Sequence, residues 1–333
     1  MWRLLEEAEA EALSGGISRE TAERLCELKG ADVMGLAALG GMVKQRFRGN
    51  EFDTCALANA KSGRCSEDCV YCAQSAHYNT NARVYPLMKT EEILKRAEEA
   101  VNIGAQRFCI VTSGRTLSDA EFSGVIAAFE AVKNSFPQLL LDASIGELNE
   151  SRARLLKEAG VRRYNHNIET APSFYEKICT THSFKDRLRT ALLIKDAGLE
   201  LCCGGIIGLG EDWSQRIEMA FMLKEIKPDC VPINILIPHQ GTPVANNYPV
   251  PLSDIIKFIA LMRLIIPYAV IKIAGGRERN LGDFQGLALL SGANGIIVGG
   301  YLTTGGRSAK EDSKMVQQAK EFLADDGSSC RKQ

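Results

Sequence analysis

The chain has 333 residues, 45% of them hydrophobic, which is the composition of an ordinary soluble globular protein. Its 40 basic and 41 acidic residues nearly cancel, so the net charge of −1 gives no reason to expect a nucleic acid or an anionic membrane as partner. The most apolar stretch, residues 254–274, is interrupted by Lys257, Arg263 and Lys272, and the first residues carry no secretory signal pattern. These features predict a cytoplasmic protein.

Helical patterns fill the first 50 residues. Ser18 is placed to cap a helix through Leu28, and a second pattern runs from Ala31 to Phe47. We expect residues 1–50 to form a helical extension in front of the main domain.

From about residue 53, short apolar runs alternate with amphipathic stretches. The runs predict strands at Asp53–Ala58, Arg107–Thr112, Leu139–Ser144, Arg163–Asn167, Glu200–Gly204, Cys230–Ile235, Ala269–Ile273 and Gly295–Val298. Helices are predicted from Thr90, Ser118 and Asn149, and over Ser183–Ala197, Trp213–Ile226, Pro251–Ile266 and Lys310–Ala324.

About eight strand–helix units predict an α/β fold, a (β/α)8 TIM-type barrel over residues 51–324. A doubly wound open sheet has the same alternation and remains the alternative. Residues 325–333 are polar and predict a flexible tail.

The cysteine content is high for a cytosolic chain, with 11 cysteines, and favours metal or cluster ligation over disulfides. Cys65, Cys69 and Cys72 form a CxxxCxxC motif shortly after the first predicted strand. Three thiolates this close can hold one four-iron cluster and leave its fourth iron open. A structural zinc site normally needs four protein ligands, and no second CxxC is present.

The spacing of this motif, with Tyr71 before the last cysteine, is typical of the radical S-adenosylmethionine (SAM) superfamily. Residues 59–75 (NAKSGRCSEDCVYCAQS) resemble the cluster loop of the biotin synthase family. Further segments similar to that family follow in the same order at residues 164–170 (YNHNIET), 204–211 (GGIIGLGE), 231–243 and 274–278 (AGGRE). A hydrogenase maturase or methylornithine synthase of the same branch, and a non-catalytic iron–sulfur redox protein, are the alternatives.

The resemblance implies an enzyme that inserts sulfur into dethiobiotin, with a [4Fe-4S] cluster on the three motif cysteines and SAM as cofactor. The residues implied to bind SAM are Tyr71, Asn167, Glu169, Arg187, Gly204, Gly205 and Ile206. Asn165 and Asn234 are implied to bind dethiobiotin. A flavodoxin- or ferredoxin-type electron donor and a homodimer are also expected.

Two of these groups also have a physical interpretation. Asn165, Asn167 and Glu169 alternate along a predicted strand, so all three are expected to face one side. Glycines at 204 and 205 would let a cofactor approach the backbone, and close packing within the protein is the alternative.

The resemblance further implies an auxiliary [2Fe-2S] cluster that supplies the sulfur and is held by three strand cysteines and an arginine. Cys109, Cys202 and Arg277 match that set, whereas the third cysteine position falls on Asp142. Additional cysteines lie on the first and sixth predicted strands, so four thiols could converge inside the barrel: Cys55, Cys109, Cys202 and Cys230.

We therefore predict a rebuilt auxiliary cluster, with four irons rather than two, and leave open whether Arg277 still touches it. Cys203 is expected to face outward, Cys179 to lie in a helix-side segment, and Cys26 and Cys330 to be bystanders.

Overall fold

The structure is a computed structural model that describes residues 1–300 and 307–323. The tail predicted at residues 325–333, with Cys330, lies outside the described residues. The strands are β1 Asp53–Lys61, β2 Arg107–Thr112, β3 Leu140–Ser144, β4 Val161–Asn165, β5 Glu200–Cys202, β6 Gly205–Ile207, β7 Cys230–Ile235, β8 Val270–Ile273 and β9 Gly295–Ile297.

The helices begin before the first strand and then follow the strands in alternation. They are α1 Trp2–Leu13, α2 Arg19–Cys26, α3 Asp32–Arg48, α4 Thr90–Asn102, α5 Asp119–Ser135, α6 Glu150–Glu158, α7 Phe184–Asp196, α8 Trp213–Ile226, α9 Leu252–Ile265, α10 Arg277–Leu281, α11 Gln285–Leu290 and α12 Ala309–Leu323.

The strands close into a parallel barrel. They neighbour one another in the order β5, β4, β3, β2, β1, β9, β8, β7 and β6, and β5 also pairs with β7. Because β5 and β6 both lie beside β7, they are two segments of one barrel strand, and the barrel has eight strands. The predicted (β/α)8 barrel is confirmed, and the open sheet is wrong.

Side-chain caps set the starts of several helices where the sequence predicts them. Ser18 Oγ accepts a hydrogen bond from the backbone N–H of Thr21 at the start of α2. Ser118 and Glu121 form a reciprocal capping box at α5. These side chains satisfy backbone groups that a helix end leaves unpaired, so a short polar motif locates the helix start to within a residue.

Two departures from the predicted strand bounds affect the site. The fourth ends at Asn165, so Asn167 lies beyond it. The fifth is interrupted after Cys202 and resumes at Gly205. Both departures lie at the carboxyl ends of the strands, which is where a barrel of this type places its active site.

The N-terminal helices cover an otherwise exposed apolar helix. Residues 255–265 of α9 are all buried. One side of α9 packs against β8, and α1, α2 and α3 pack against it from outside. A mostly apolar helix that is buried on all sides needs such cover, so the first 48 residues contribute to the main hydrophobic core. None of the helices in the described part of the chain is long and apolar enough to span a membrane.

A buried ion network fills the amino-terminal end of the barrel. Asp53 Oδ2 accepts hydrogen bonds from Arg107 and Arg163, each at 2.8 Å, and its Oδ1 lies 2.7 Å from Lys272 Nζ. Although burial opposes ionisation, these three cations hold the pKa of Asp53 well below its usual range. Arg107 also reaches Asp142 at 3.0 Å, which extends the network toward the barrel centre.

Candidate active site

The CxxxCxxC loop follows β1 and is shaped by its own backbone. The N–H of Cys65 donates to the carbonyl of Gln74 at 3.0 Å, and the N–H of Cys72 donates to the carbonyl of Cys69 at 2.9 Å. The three cysteines are free and only half-buried. Their thiols are therefore held on one short loop and remain partly accessible, which suits a cluster with one open iron.

A second segment, residues 178–182, binds this loop from the side. The N–H of Val70 donates to the carbonyl of Ile178 at 2.9 Å, and Asp68 accepts from the N–H of Thr180 at 2.9 Å. These bonds bring Cys179 Sγ to 3.8 Å from Cys69 Sγ. Cys179 was expected in a helix-side segment, and its contact with Cys69 corrects that expectation. The Cys-x-x-His spacing of Cys179 and His182 was the signal that could have found it.

An ion pair between Glu169 and Arg187 lies beyond the end of β4. Glu169 has a φ of +67°, in the left-handed region, where a non-glycine residue costs about 1–3 kcal/mol and is often found at a ligand site. Asn167 Oδ1 accepts from the N–H of Gly204 at 3.1 Å. The predicted strand alternation does not reach Asn167 or Glu169, because the strand has already ended.

A cavity of about 280 Å³ opens at the carboxyl ends of the strands. Its lining includes five predicted site residues: Tyr71, Asn165, Asn167, Ile206 and Asn234. The side-chain oxygen of Asn165 is buried, and no described residue donates a hydrogen bond to it. The Nε of Arg187, on the neighbouring ion pair, likewise has no acceptor among the described residues. A ligand is the natural partner for both atoms, because a buried polar group without a partner is costly.

Asn234 is held by the protein itself. Its Oδ1 accepts from the N–H of Gly275 at 3.0 Å, and its Nδ2 donates to the carbonyl of Gly205 at 3.3 Å. Its position on the cavity wall is therefore fixed, while each of its groups already has a partner.

The two predicted cofactor glycines are required by internal packing. A Cβ at Gly204 would lie 2.0 Å from the carbonyl oxygen of Pro232, and one at Gly205 would lie 2.6 Å from that of Glu169. The alternative of close packing therefore accounts for both glycines. Of that segment, only Ile206 lines the cavity.

The four inner cysteines are all buried and lie as two pairs. Cys202 and Cys230 occupy matching positions on β5 and β7 and pack together with Val270. Cys55 and Cys109 pack against each other with Val111. Cys203 is also buried but belongs to the main hydrophobic core instead, as its strand parity predicts.

The cations near these thiols are Lys272 and Arg163. Although burial opposes ionisation, the hydrogen bond from Cys202 and the charges of Lys272 and Arg163 lower the pKa of Cys230 below its usual range. Burial raises the pKa of Cys55 to about 12 despite Lys272. In the sequence, Lys272 stands out only as a charge within an apolar stretch, so its position beside the inner cysteines was not predicted.

Arg277 lies elsewhere than predicted. Its guanidinium donates to Asp312 at 2.6 Å and to the carbonyl oxygen of Ile297 at 3.1 Å, and it also bonds Gln285. None of these partners belongs to the inner cysteine pairs. The sequence left open whether Arg277 touches the auxiliary cluster, and Lys272 of β8 is a cation whose charge acts on these thiols.

The cavity is lined by residues adjacent to both groups of cysteines. Tyr71 lies on the CxxxCxxC loop and lines the cavity. On the inner side, Asn165 Nδ2 donates to Cys109 Sγ at 3.5 Å. The cavity therefore connects the CxxxCxxC loop, through Tyr71, with the inner cysteines, through Asn165.

Comparisons with known proteins agree with this arrangement. Residues 60–223 match the model of the radical SAM superfamily, and residues 232–320 match the biotin and thiamin synthesis associated domain. The chain is 50% identical over 285 residues to a biotin synthase of Pelotomaculum thermopropionicum, covering 86% of this chain and 88% of that one. It is 44% identical over 318 residues to a biotin synthase of Heliobacterium modesticaldum, covering 95% of this chain and 97% of that one.

Solved structures share the architecture. A methylornithine synthase (PylB) superposes with a TM-score of 0.80 at 18% identity, covering 93% of this chain and 95% of that chain. The hydrogenase maturase HydG superposes with a TM-score of 0.80 at 16% identity, covering 96% of this chain and 74% of that chain. At these identities the likeness shows a common fold alone.

Proposed function

This chain belongs to the biotin synthase family of radical SAM enzymes, and we propose that it inserts sulfur into dethiobiotin in the cavity between its two groups of cysteines. The observation that carries this proposal is that cavity itself, with Tyr71 of the CxxxCxxC loop on its wall and Asn165 linking it to Cys109. A mutase without a sulfur donor would have no use for four thiols buried beneath its substrate.

In this proposal Cys65, Cys69 and Cys72 hold the [4Fe-4S] cluster. When bound, that cluster and SAM supply the radical that removes hydrogen atoms from dethiobiotin, and the auxiliary cluster supplies the sulfur. The motif fits the first cluster because three thiols on a short loop leave one iron open for SAM.

The chain's own residues bind and orient the two ligands. Arg187 Nε, which has no acceptor among the described residues, donates to the carboxylate of SAM while Glu169 holds the guanidinium. Asn165 Oδ1 accepts an N–H of the ureido ring of dethiobiotin. Ile206 and Tyr71 line the cavity and keep water from the reacting carbon.

We assign the auxiliary cluster to Cys55, Cys109, Cys202 and Cys230 and propose that it contains four irons. All four cysteines are buried, and the positive charges of Lys272 and Arg163 favour the thiolate of Cys230, as cluster ligation requires. Asp142, at the position of the missing cysteine, is instead engaged by Arg107.

Iron and sulfide counting tests this assignment. A variant with Cys65, Cys69 and Cys72 replaced by alanine should keep four irons per chain after anaerobic reconstitution. Adding Cys230→Ser should lower that count, while adding Cys26→Ser, a buried cysteine of α2, should not. A two-iron spectrum in the triple variant would overturn the four-iron proposal.

The activity itself is tested by anaerobic incubation of reconstituted protein with dethiobiotin, SAM and a strong reductant. We expect biotin and 5′-deoxyadenosine to appear together in the mass spectrum. If 5′-deoxyadenosine forms without biotin, the substrate assignment is wrong although the radical SAM chemistry stands.

A flavodoxin- or ferredoxin-type protein is proposed as electron donor, because reduction of the cluster needs a protein that carries single electrons at low potential. We also propose a homodimer and a cytoplasmic location. Sedimentation of the reconstituted protein tests whether it is a homodimer. The electron donor is identified by testing which carrier protein can replace the chemical reductant.

A further inference from the structure

Cys69, Cys179 and His182 form a compact group of metal-ligating side chains beside the cluster loop. One ligand atom of each lies within 4.8 Å of the others, and the two sulfur atoms are 3.8 Å apart. Two thiolates on one tetrahedral metal ion, each about 2.3 Å from it, lie about 3.8 Å from each other. The separation therefore suits ligands of one ion.

Glu67 orients the histidine for metal binding. His182 Nδ1 lies 2.6 Å from Glu67 Oε2, and His182 Nε2 lies 3.8 Å from Cys179 Sγ. Nδ1 is the nearer nitrogen to that sulfur, at 3.2 Å, but the carboxylate occupies it. With its Nδ1–H donated to Glu67, the ring presents the lone pair of Nε2, which is the carboxylate–histidine arrangement common around bound zinc.

The surroundings of this group are those of a built site. Cys179, His182 and Glu67 are 4%, 8% and 7% exposed. Asp68 also contacts the group, with its Oδ1 3.2 Å from Cys179 Sγ, but this carboxylate already accepts hydrogen bonds from the N–H groups of Thr180 and Thr181. Three protein ligands are therefore available, and the fourth position of a tetrahedron is left for water.

We propose that the chain, before it receives its SAM cluster, binds one divalent transition-metal ion such as zinc(II) or iron(II) through Cys69, Cys179 and His182. Binding releases the thiol protons to solvent and transfers no electrons. Cys69 cannot serve this ion and the cluster at once, so the ion must leave before the cluster forms. This site goes beyond the proposed reaction and depends on neither its substrate nor the auxiliary cluster.

Cobalt(II) is the probe, because its thiolate charge-transfer and d–d absorption report a tetrahedral sulfur site. Full-length protein stripped of clusters is titrated with cobalt(II) under anaerobic conditions. We expect Cys179→Ala and His182→Gln each to bind one equivalent of cobalt(II) fewer than wild type. Glu67→Gln should lower the affinity of this site for cobalt(II) about tenfold or more, as loss of such a carboxylate typically does.

The other motif cysteines provide the matched controls. Cys65→Ala and Cys72→Ala should keep the full number of equivalents, because neither residue belongs to the group, and Cys26→Ser should do the same. Binding at the inner cysteines is common to all these variants and cancels in the comparison. If Cys65→Ala and Cys72→Ala lose the equivalent while Cys179→Ala keeps it, the motif cysteines hold the ion and the proposal is overturned.

A competition experiment gives a second readout. Zinc(II) is added at one equivalent more than the inner cysteines bind. It should slow reconstitution of the SAM cluster severalfold in wild type and much less in His182→Gln. Circular dichroism checks that each variant is folded, and His182→Gln carries the test if Cys179→Ala is not. Equal inhibition by zinc in both proteins would contradict the proposal.

Discussion

Arg187 is the residue at which SAM binding and cluster binding can be separated. One of its nitrogens pairs with Glu169, and its Nε has no acceptor among the described residues. A hydrogen bond to a charged group contributes about 1.5–3 kcal/mol, so we expect Arg187→Gln to raise the Kd for SAM about tenfold or more. Equilibrium binding of SAM to the reconstituted protein measures this.

The matched control for Arg187 lies on the same helix. Arg189 has a side chain that is 66% exposed, and Arg189→Gln should leave the Kd unchanged. Iron content should be normal in both variants. Equal weakening in both, or a loss of iron in Arg187→Gln, would contradict a direct role in SAM binding.

Asn165 is the residue at which binding of dethiobiotin can be tested. Leucine has nearly the same size as asparagine but no acceptor, so Asn165→Leu removes the partner proposed for the ureido N–H. We expect the KM for dethiobiotin to rise about tenfold, since an unpaired polar group costs about 1–3 kcal/mol. Formation of 5′-deoxyadenosine without substrate should continue. If that uncoupled cleavage falls in parallel, Asn165 acts on SAM or on the cluster instead.

At the residue scale, the sequence predicts what lies close along the chain and fails where a contact is distant. The CxxxCxxC motif is local, so its spacing alone indicates a cluster. Cys179 is 110 positions from Cys69, and only the folded loop brings them together. Lys272 and Arg277 are five positions apart, and the register of β8 decides which of them reaches the inner cysteines.

Among the structural elements, the break between β5 and β6 makes a sharp prediction. A Cβ at Gly204 would lie 2.0 Å from the backbone oxygen of Pro232, which cannot move without disturbing β7. We expect Gly204→Ala to lower stability by about 1–3 kcal/mol, the usual range for overpacking a tight core. Urea unfolding followed by far-UV circular dichroism measures the change.

Gly286 is the control for that substitution. It lies in α11, and an added Cβ would meet no atom within 4 Å. Gly286→Ala should therefore be neutral or stabilising by up to about 1 kcal/mol, because alanine favours the helix. Similar destabilisation by both alanines would show that the contact with Pro232 is not the cause.

The bounds of the other helices and strands can be predicted from periodicity and caps, but two details of the backbone cannot. Most predicted bounds differ from the structure by one or two residues, since apolar runs and polar caps mark them. The left-handed backbone of Glu169 and the interruption before Gly205 depend on neighbouring strands. The backbone carbonyl of Glu169 accepts a hydrogen bond from the N–H of Ile206 at 2.8 Å, a contact that the propensity of one segment cannot predict.

For the whole molecule, counting strand–helix units was sufficient to predict the barrel, whereas the packing of the N-terminal helices against it was not predicted. The N-terminal helices were recognised, but not the packing of α3 against α9. Helix α3 also packs against the end of α11, where a Cβ at Gly40 would lie 2.2 Å from the carbonyl oxygen of Ser291. Such contacts join segments 250 residues apart, and a single sequence holds no local signal for them.

The ion pairs of Asp53 at the amino-terminal end of the barrel join four strands, β1, β2, β4 and β8, so their loss should affect the whole molecule. Asp53→Asn leaves Arg107, Arg163 and Lys272 buried around a neutral side chain. Breaking a buried ion pair from one side costs about 3–5 kcal/mol, and we expect a loss of that size in the free energy of unfolding. Glu158→Gln, which removes an exposed pair with Arg154, should cost less than about 1 kcal/mol. Urea unfolding of the two variants side by side decides the matter. If Asp53→Asn falls within 1 kcal/mol of Glu158→Gln, the network does not stabilise the barrel, and its cations serve the inner cysteines alone.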